Sequence, residues 1–549
     1  MSAVVGLVDW LSVGGHLAAA ERNYGDRAAQ SAGLFSAWAG ESSAVGSAHA
    51  QPAVALDSSL LTWWHVDEET SRVIVGDSRL DDRKNLLGRL GLSQSDGGRL
   101  GDAELLLKAY GRWGRACAKH LVGAFAFVIW DPRERILFAA RDHVGLRPFY
   151  YTRTPEVFAF STSEASLLAL DSCDGSLDEP YVAGHLAYKF FSAPGRTFYK
   201  GIRTLPPGHT ARVSRDGLHL ERYWFPNKVA AVRYARREDY YEAFQEIFGS
   251  AMRDRLLGDD SFGVHLSGGL DSSSVAVLAA RELSKADKSA PIALSWNAPP
   301  PVGCPPTDEH ARIAAVCRQE DLTCHFQEIS VAEVVSVLEW DLNRQPVTRV
   351  LLQEDSLQRQ ARRLGVRVIL SGWGGDQGAS YHGRDYLPSL LLGGRWAELL
   401  RAGLRSDRSA ARFIHGNVWK PLRAHLAARW ISPRTRVASH YVNAELLQRV
   451  PMLREPRGQV FPNVHASQAH LLGGGWLTRR LESWTVNGAI NGIEYRYPLL
   501  DRRLLEFVMG IPDDLFFRNG WHRSFFREAL EGVLPPEVVW NRSKGDPAR

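Results

Sequence analysis

The stretch FGVHLSGGLDSSSVAVLAARE, residues 262–282, runs from an apolar segment through a Ser-Gly-Gly turn into an Ala-rich helical pattern. Glycines let backbone N–H groups approach a ligand closely, and the N-terminus of the following helix adds partial positive charge. Such a turn favours anion binding. It differs from the GxxxxGK[ST] loop because no lysine closes it. The alternative interpretation is a Ser/Gly turn that only caps the helix.

The side chains of this turn indicate which anion it would bind. The hydroxyls of Ser267, Ser272, Ser273 and Ser274 can donate hydrogen bonds to phosphoryl oxygens. Asp271 has the wrong sign to bind an anion directly, but a carboxylate beside a phosphate site can hold Mg²⁺, which a triphosphate brings with it. The stretch therefore predicts a site for a triphosphate and Mg²⁺.

Two later segments repeat the pattern of buried strand followed by turn. They are PIALSWN, residues 291–297, and VRVILSGWGGD, residues 366–376. Buried parallel strands that alternate with helices imply a doubly wound α/β domain. The second half of the chain is therefore predicted to hold a parallel sheet.

The first half has a different pattern. Residues 70–162 contain β-branched and aromatic runs divided by Asp, Pro and Gly, with one helical pattern at residues 102–121. Strand signals stop near residue 225, and a long helical pattern begins at about Asp239. We predict two domains, residues 1–224 and 239–549, joined by a linker at 225–238.

Composition limits the classes of protein. The 549 residues are 45% hydrophobic and 23% charged, and the net charge of +5 argues only weakly for a nucleic-acid or acidic-lipid partner. The five cysteines form no CxxC pair, which suggests a reducing compartment. No apolar run approaches the length of a membrane span. We expect a cytoplasmic protein that binds neither nucleic acid nor membrane.

Several segments together resemble one known family. SGGLDSS at 267–273 resembles the pyrophosphate loop of the ATP pyrophosphatases, and the whole chain resembles the asparagine synthetase superfamily. The supporting segments are LSGWGGD at 370–376, GIEYRYPLLD at 492–501, LPPEVVWNRSKGD at 534–546 and, in the first domain, ARDHVGLRPFYY at 140–151. The resemblance implies an N-terminal Ntn-type amidotransferase-like αββα sandwich. It also implies a C-terminal doubly wound parallel-sheet PP-loop synthetase domain with helical additions.

The resemblance also implies site residues. Asp271 and Asp376 would be Mg²⁺ ligands, although Asp376 could instead be a simple turn residue. Lys544 would be the catalytic lysine that stabilises charge in the transition state, and Glu494 and Trp373 complete the candidate catalytic set. Glu494 lies two residues from Arg496, so a structural ion pair is the stronger interpretation there. The implied nucleotide-binding residues are Leu266, Ser267, Gly268, Gly269, Asp271, Ser272, Ser273, Ser295, Ser371, Gly372 and Gly374.

The sequence departs from the family in its first domain. Glutamine-dependent members begin, after Met removal, with a nucleophilic cysteine, whereas this sequence has Ser2 and its first cysteine is Cys117. A hydroxyl has a far higher pKa than a thiol and suits that chemistry poorly. The Arg-Gly-Pro-Asp segment of such members is also missing between Gly6 and Val73. We expect that this domain no longer produces ammonia and that the amine comes with the substrate.

Trp373 is a second departure. In SGWGGD it occupies the position of a glutamate in asparagine synthetases and of a tyrosine in β-lactam synthetases. Indole can neither accept a proton nor pair with an ammonium group as a carboxylate does, but it can form an apolar wall. A large, partly apolar substrate is therefore expected in place of free aspartate.

These departures make the chain most similar to lasso peptide cyclases, which close a macrolactam between a peptide's N-terminal amine and an Asp or Glu side chain. The resemblance implies a precursor peptide substrate, with a leader-binding protein and a leader protease as pathway partners. The basic aromatic block at 393–430 suits a peptide groove or, equally, a helical subdomain with a solvated arginine face. By position, the candidate bases for the amine are Glu494, Tyr381 and His382. The alternatives are an asparagine synthetase-like or β-lactam synthetase-like ligase of small molecules, and a non-catalytic scaffold.

Overall fold

The computed structural model describes most of the chain from Trp63 to Asn541. It describes residues 63–541 except 156, 188–192, 259–260, 300–306, 328, 336–351, 405–413, 420–422, 424–444 and 447–460, and also residues 5–9, 35–38 and 54–57. Lys544 lies outside the described residues.

The first half is built from antiparallel strands. They are β1 Val5–Asp9, β2 Phe35–Trp38, β3 Val54–Asp57, β4 Trp63–Asp67, β5 Arg72–Asp81, β6 Val122–Asp131, β7 Ile136–Arg141, β8 Tyr150–Arg153, β9 Val157–Ser161, β10 Arg203–Thr204, β11 His209–Ser214 and β12 Gly217–Arg222. One sheet has the order β1-β9-β8-β10, a second has the order β12-β11-β7-β6-β5-β4, and β2 pairs with β3.

Alternating side chains of β6 pack on opposite faces of the six-stranded sheet. Ala126 and Val128 face the four-stranded sheet, where Phe158 and Phe160 pack in the same cluster. Phe125 and Phe127 face the other way, into a cluster with Leu105, Leu106 and Tyr110 of helix α3. This two-sided burial is what the period of two in a strand produces.

Helices cover the outer faces of both sheets. They are α1 Arg83–Leu90, α2 Gln94–Gly97, α3 Asp102–Trp113, α4 Glu164–Leu168 and α5 Glu179–Ala187. Leu167 of α4 packs with Tyr150 and Ala159 on the outer face of the four-stranded sheet. The predicted αββα sandwich is confirmed. The helical pattern predicted for residues 102–121 is α3 followed by a 3₁₀ turn, Gly114–His120.

The second half contains a five-stranded parallel sheet. Its strands are β13 Phe262–His265, β14 Ile292–Ser295, β15 Cys324–Phe326, β16 Val368–Leu370 and β17 Glu494–Arg496, in the order β15-β14-β13-β16-β17. All neighbouring pairs run parallel. The chain moves outward from β13 to β15 and then returns to the other side of β13 with β16. This reversal creates a crevice at the carboxyl ends of β13 and β16, where open α/β sheets bind ligands.

Helices surround this sheet, and the predicted doubly wound domain is confirmed. They are α6 Arg237–Arg255, α7 Leu270–Lys285, α8 Asp308–Glu320, α9 Leu352–Arg363, α10 Tyr386–Leu392, α11 Trp396–Leu404, α12 Val464–Gly473, α13 Trp476–Ile490, α14 Arg502–Gly510, α15 Ser524–Ala529 and α16 Pro536–Val539. A short hairpin, β18 Phe517–Arg518 and β19 Trp521–His522, precedes α15. None of the helices in the described ranges combines the length and apolar character that a membrane crossing requires.

Buried polar contacts connect the two halves. The guanidinium of Arg141 donates to Glu482 of α13 at 2.7 Å, and the His143 ring lies 2.8 Å from the carbonyl oxygen of Leu500. The side chain of Arg141 is fully buried. A buried charge of this kind is tolerated only when it is paired. The boundaries 1–224, 225–238 and 239–549 stay a prediction.

Candidate active site

The Ser-Gly-Gly turn after β13 has a backbone that only glycine fits. Gly268 has φ +67°, and a Cβ added there would lie 2.8 Å from the carbonyl oxygen of Glu309 in α8. Arg312, also in α8, donates from Nε to the carbonyl oxygen of Gly268 at 2.9 Å. Helix α8 therefore holds the turn against the N-terminus of α7, where free N–H groups favour an anion.

Serine hydroxyls hold the turn from within. The Oγ of Ser272 accepts from the backbone N–H of Ser267 at 3.1 Å and lies 3.0 Å from its Oγ. Ser273 is fully buried, and its Oγ has no hydrogen-bond partner in the described structure. Ser267 and Ser272 face the cavity at this turn, whereas Ser273 does not.

A second glycine turn, after β16, packs directly against the first. A Cβ at Gly372 would lie 2.6 Å from the carbonyl carbon of Asp271, and one at Gly375 would lie 2.9 Å from its carboxyl carbon. Gly374 has φ +85° and leaves no space for a Cβ beside Leu500. Because these glycines allow close approach, Asp376 at the end of the turn faces the same cavity as Asp271.

The two aspartates share one cation. Arg523 Nη1 lies 3.2 Å from Oδ2 of Asp271, and Nη2 contacts Oδ1 of Asp376. In the described ranges no group of three or more His, Cys, Asp or Glu side chains could hold a metal. Two carboxylates close enough to share a cation, beside a phosphate-type turn, fit Mg²⁺, which usually binds through one or two carboxylates plus substrate phosphates.

The cavity above these turns encloses about 1390 Å³, including space open to solvent at its mouth. Tryptophans form much of its wall, namely Trp296, Trp373, Trp476 and Trp521. The rings of Trp373 and Trp476 have centroids 5.5 Å apart. The cavity thus joins an anion-binding floor to an aromatic wall.

Most of the predicted nucleotide and metal residues face this cavity. Those that line it are Ser267, Gly269, Asp271, Ser272, Ser371, Gly372, Gly374 and Asp376, and the predicted catalytic residue Trp373 lines it too. Leu266, Gly268, Ser273 and Ser295 are buried and do not line it. Ser295 accepts through Oγ from the N–H of Asn297 at 3.3 Å, so it supports the turn after β14.

Glu494 does not line the cavity. Its carboxylate lies 2.8 Å from Arg147 Nη2 and 2.8 Å from Arg496 Nη2, with Arg79 Nε at 3.8 Å. Burial alone would raise the pKa of Glu494, but the charges of Arg147 and Arg496 outweigh it and lower this pKa to about 2. The group is a buried carboxylate in an ion-pair network. Its catalytic role stays a prediction.

The other candidate bases differ in position. Tyr381 is buried and donates to Ser467 Oγ at 2.7 Å, and burial raises its pKa well above the ordinary value. His382 lines the cavity, and burial together with the charge of Arg384 lowers its pKa to about 3. Its imidazole is therefore neutral at pH 7. Of the three candidates, only His382 lines the cavity.

The N-terminal half shows no activated cysteine among its described residues. Cys117 is fully buried, and this burial raises the pKa of its thiol to about 12. Burial likewise raises the pKa of Cys173. A thiol that stays protonated is a poor nucleophile. Arg83 also forms an ion pair with the carboxylate of Asp102 in this half.

Sequence reasoning missed Arg523 and the neighbouring Trp521. The missed signal was FFRNGWHR, residues 516–523, because Asn-Gly between aromatic residues is a strong hairpin indicator. Asn519 and Gly520 have φ +50° and +77°, as that turn requires. The hairpin brings Trp521 and Arg523 to the cavity.

Two family models match the chain. The model described as Asparagine synthase matches residues 243–548, and the model described as Glutamine amidotransferase domain matches residues 80–224. Asparagine synthetase [glutamine-hydrolyzing] 3 of Bacillus subtilis (strain 168) is 26% identical over 462 residues, covering 82% of this chain and 71% of that protein. Asparagine synthetase [glutamine-hydrolyzing] 1 of the same organism is 24% identical over 465 residues, covering 81% and 71%.

Other matches are shorter or weaker. Amidase chyE of Penicillium rubens (strain ATCC 28089 / DSM 1075 / NRRL 1951 / Wisconsin 54-1255) is 32% identical over 184 residues, covering 33% of this chain and 26% of that protein. Among solved structures, the glutamine phosphoribosylpyrophosphate amidotransferase from B. subtilis matches 57% of this chain and 63% of its own at 12% identity and a TM-score of 0.22, too low to support an argument. Because the Asparagine synthase model covers more than half of the residues, the chain belongs to the asparagine synthase family of ATP-dependent, AMP-forming carbon–nitrogen ligases.

Proposed function

We propose that the protein is an ATP-dependent lasso peptide cyclase. It would adenylate an Asp or Glu side chain of a precursor peptide and form an isopeptide bond with the peptide's N-terminal amine. AMP and pyrophosphate would be released. The observation that carries the proposal is the tryptophan wall of the ligand cavity, with Trp373 beside the anion-binding turn. An aromatic wall favours a large, partly apolar substrate over free aspartate.

The source of the amine supports the same conclusion. Both cysteines of the amidotransferase half have raised thiol pKa values, and the sequence has no cysteine before Cys117. Glutamine hydrolysis needs an activated nucleophile. A substrate that contains its own amine needs no ammonia, and therefore no nucleophile for glutamine hydrolysis.

The described part of the basic aromatic block at 393–430 also supports a peptide substrate. Trp396 is 57% exposed and Leu400 is 67% exposed, one turn apart on α11. Residues four apart lie on one face of a helix, and exposed apolar faces are typical of partner-binding surfaces. The proposed partners are the precursor peptide, a leader-binding protein and a leader protease.

The residues of the cavity suit the proposed reaction. Ser267, Ser272 and the N–H groups at the start of α7 would hold the pyrophosphate of ATP, while Asp271 and Asp376 would hold Mg²⁺. Mg²⁺, when bound, neutralises phosphate charge and makes the α-phosphorus easier to attack. The substrate carboxylate would attack there to give an acyl-adenylate. The peptide amine, held close by the cavity wall, would then displace AMP. Lys544 is the proposed stabiliser of the developing charge.

The test is to incubate purified protein with ATP, Mg²⁺ and a linear peptide that has a free N-terminal amine and one internal Asp or Glu. Mass spectrometry is expected to show loss of one water, with one AMP formed per ring. Asp271→Asn is expected to lower the rate at least about a thousandfold, because it removes a negative charge from the proposed metal site. Asp216→Asn, a change at an exposed residue that does not line the cavity, is the matched control.

The alternative functions predict other products. The relatives named as asparagine synthetases favour a small-molecule ligase as the second candidate. Asparagine formed from aspartate with ammonium or glutamine, with no ring closure of any peptide, would replace the proposal by that candidate. The absence of AMP formation with any of these substrates would contradict both ligase functions and leave the non-catalytic scaffold as the remaining alternative.

A further inference from the structure

Arg523 is the cation that lies between the two aspartates of the cavity. Its Nη1 is 3.3 Å and 3.2 Å from the two carboxylate oxygens of Asp271, and its Nη2 contacts Asp376. Among the described residues, no other Lys or Arg forms an ion pair with either aspartate. One guanidinium thus binds both of the carboxylates that would hold Mg²⁺.

The backbone around Arg523 is fixed from both sides. Arg523 has φ +58°, in the left-handed region that few residues other than glycine adopt. The next residue, Ser524, donates from Oγ to the carbonyl oxygen of Leu515 at 2.6 Å, and Arg527 donates from Nε to that of His522 at 3.1 Å. A strained backbone that is held by its neighbours is typical of functional sites. The anchored backbone leaves the long side chain as the part that can move.

The same cavity offers the guanidinium a second set of partners. Arg523 lines it together with Ser267, Gly269 and Ser272 of the anion-binding turn. Mg²⁺ binds oxygen ligands at short distance and with near-octahedral geometry, so the carboxylates cannot serve the metal and the guanidinium equally well. A guanidinium released from carboxylates binds phosphate oxygens through paired N–H groups.

We propose that Arg523 is a nucleotide-binding residue that exchanges partners. Without nucleotide it holds Asp271 and Asp376 together. When ATP and Mg²⁺ bind, it leaves the carboxylates to the metal and donates to the phosphate oxygens. This inference rests on the proposed nucleotide site but not on the identity of the peptide. It gives Arg523 opposite effects on the two ligands, because its charge competes with a metal cation and attracts a phosphate.

The test measures the two ligands separately on the full chain. Mn²⁺ alone is titrated by electron paramagnetic resonance, and α,β-methylene-ATP is titrated by calorimetry in excess Mg²⁺. Arg523→Gln is expected to bind Mn²⁺ roughly threefold more tightly, since a competing cation is gone. It is expected to bind the nucleotide analogue roughly tenfold or more weakly, since charge-assisted hydrogen bonds are lost.

Arg518→Gln is the matched control, because Arg518 lies on the same hairpin and pairs with Glu528 at 3.5 Å. It is expected to change neither affinity. If both affinities of Arg523→Gln fall together, or neither changes, the exchange of partners is wrong. Should Arg523→Gln fail to fold, Arg523→Lys serves instead. It is expected to lose about threefold in nucleotide affinity without losing Mn²⁺ affinity, and a joint loss contradicts the inference.

These affinity measurements use no peptide, so their outcome does not depend on the proposed cyclase activity. If wild-type protein binds the analogue but cyclises no peptide, the role of Arg523 stands while the cyclase proposal fails. If wild-type protein binds no nucleotide, both fail.

Discussion

Arg147 and Arg523 each lie between two carboxylates, and the two sites differ in access to solvent. Between the domains, Arg147 lies 3.1 Å from Asp77 and 2.8 Å from Glu494, and its side chain is only 4% exposed. In the cavity, Arg523 contacts Asp271 and Asp376, and the latter side chain is 50% exposed. Both sites contain the same charged groups, one guanidinium and two carboxylates. Burial makes the first network a structural feature, because it keeps cations from solvent away, while the open pair remains available to a ligand.

The largest stability effect is expected from breaking the buried network. Arg147→Met would leave Asp77 without its cation and deprive Glu494 of one, and breaking a buried pair costs about 3–5 kcal/mol. The comparable change Arg523→Gln removes a partly exposed cation and is expected to cost at most about 1 kcal/mol. Urea unfolding followed by tryptophan fluorescence measures both free energies of unfolding.

The exposed Arg153→Met is the control for lost side-chain volume, and it is expected to leave the free energy of unfolding nearly unchanged. An Arg147→Met variant as stable as Arg523→Gln would contradict the distinction between a closed network and an open pair.

The pH dependence of stability distinguishes the two carboxylates that pair with Arg147, Asp77 and Glu494. Burial raises the pKa of Asp77 to about 6 from 3.8, and the charge of Glu494 adds to this rise. Between those two pH values the folded state binds more protons than the unfolded state, so stability attributable to Asp77 falls as pH rises. Glu494, with a pKa of about 2 against 4.5, acts oppositely: its contribution is lost as pH falls through that lower window.

Asp77→Asn tests the loss of stability that is expected as the pH rises from 3.8 to about 6. The amide resembles the protonated acid, so the variant is expected to match wild type near pH 4. At pH 7 it is expected to be more stable by about 2–3 kcal/mol, because it has no buried charge to desolvate. Chemical unfolding at several pH values measures the difference. A variant that loses stability relative to wild type as pH rises would show that the Asp77–Arg147 attraction outweighs burial.

Local patterns in the sequence were sufficient for the two glycine turns. Each follows a strand of four or three residues, β13 or β16, and parallel neighbours bring their carboxyl ends to one edge. The αββα half was predictable for a similar reason, since alternating runs such as residues 125–131 form β6. The helix expected from about Asp239 begins at Arg237.

The remainder of the cavity depends on contacts that no local pattern encodes. Arg523 is 252 positions from Asp271 in the sequence. Trp476, the first residue of α13, packs beside Trp373 although about 100 positions of sequence separate them. Its spacing of two associates Glu494 with Arg496, but its equally short contact with Arg147 of the other domain could not be inferred from spacing.

The smallest expected effect concerns the wall of the open site. Trp373→Leu would shorten an apolar surface that packs at 5.5 Å against Trp476 and 5.3 Å against Trp484. Trp373 is only partly buried, so the expected loss is about tenfold in kcat/KM for the peptide, near 1.4 kcal/mol. The loss is expected mainly in KM, since the side chain holds the substrate without touching the reacting phosphate. Trp373→Phe, which keeps an aromatic wall, is expected to recover most of the activity. If the leucine variant instead had a lower kcat and an unchanged KM, Trp373 would stabilise the transition state. It would then be a catalytic residue and not only part of the substrate-binding wall.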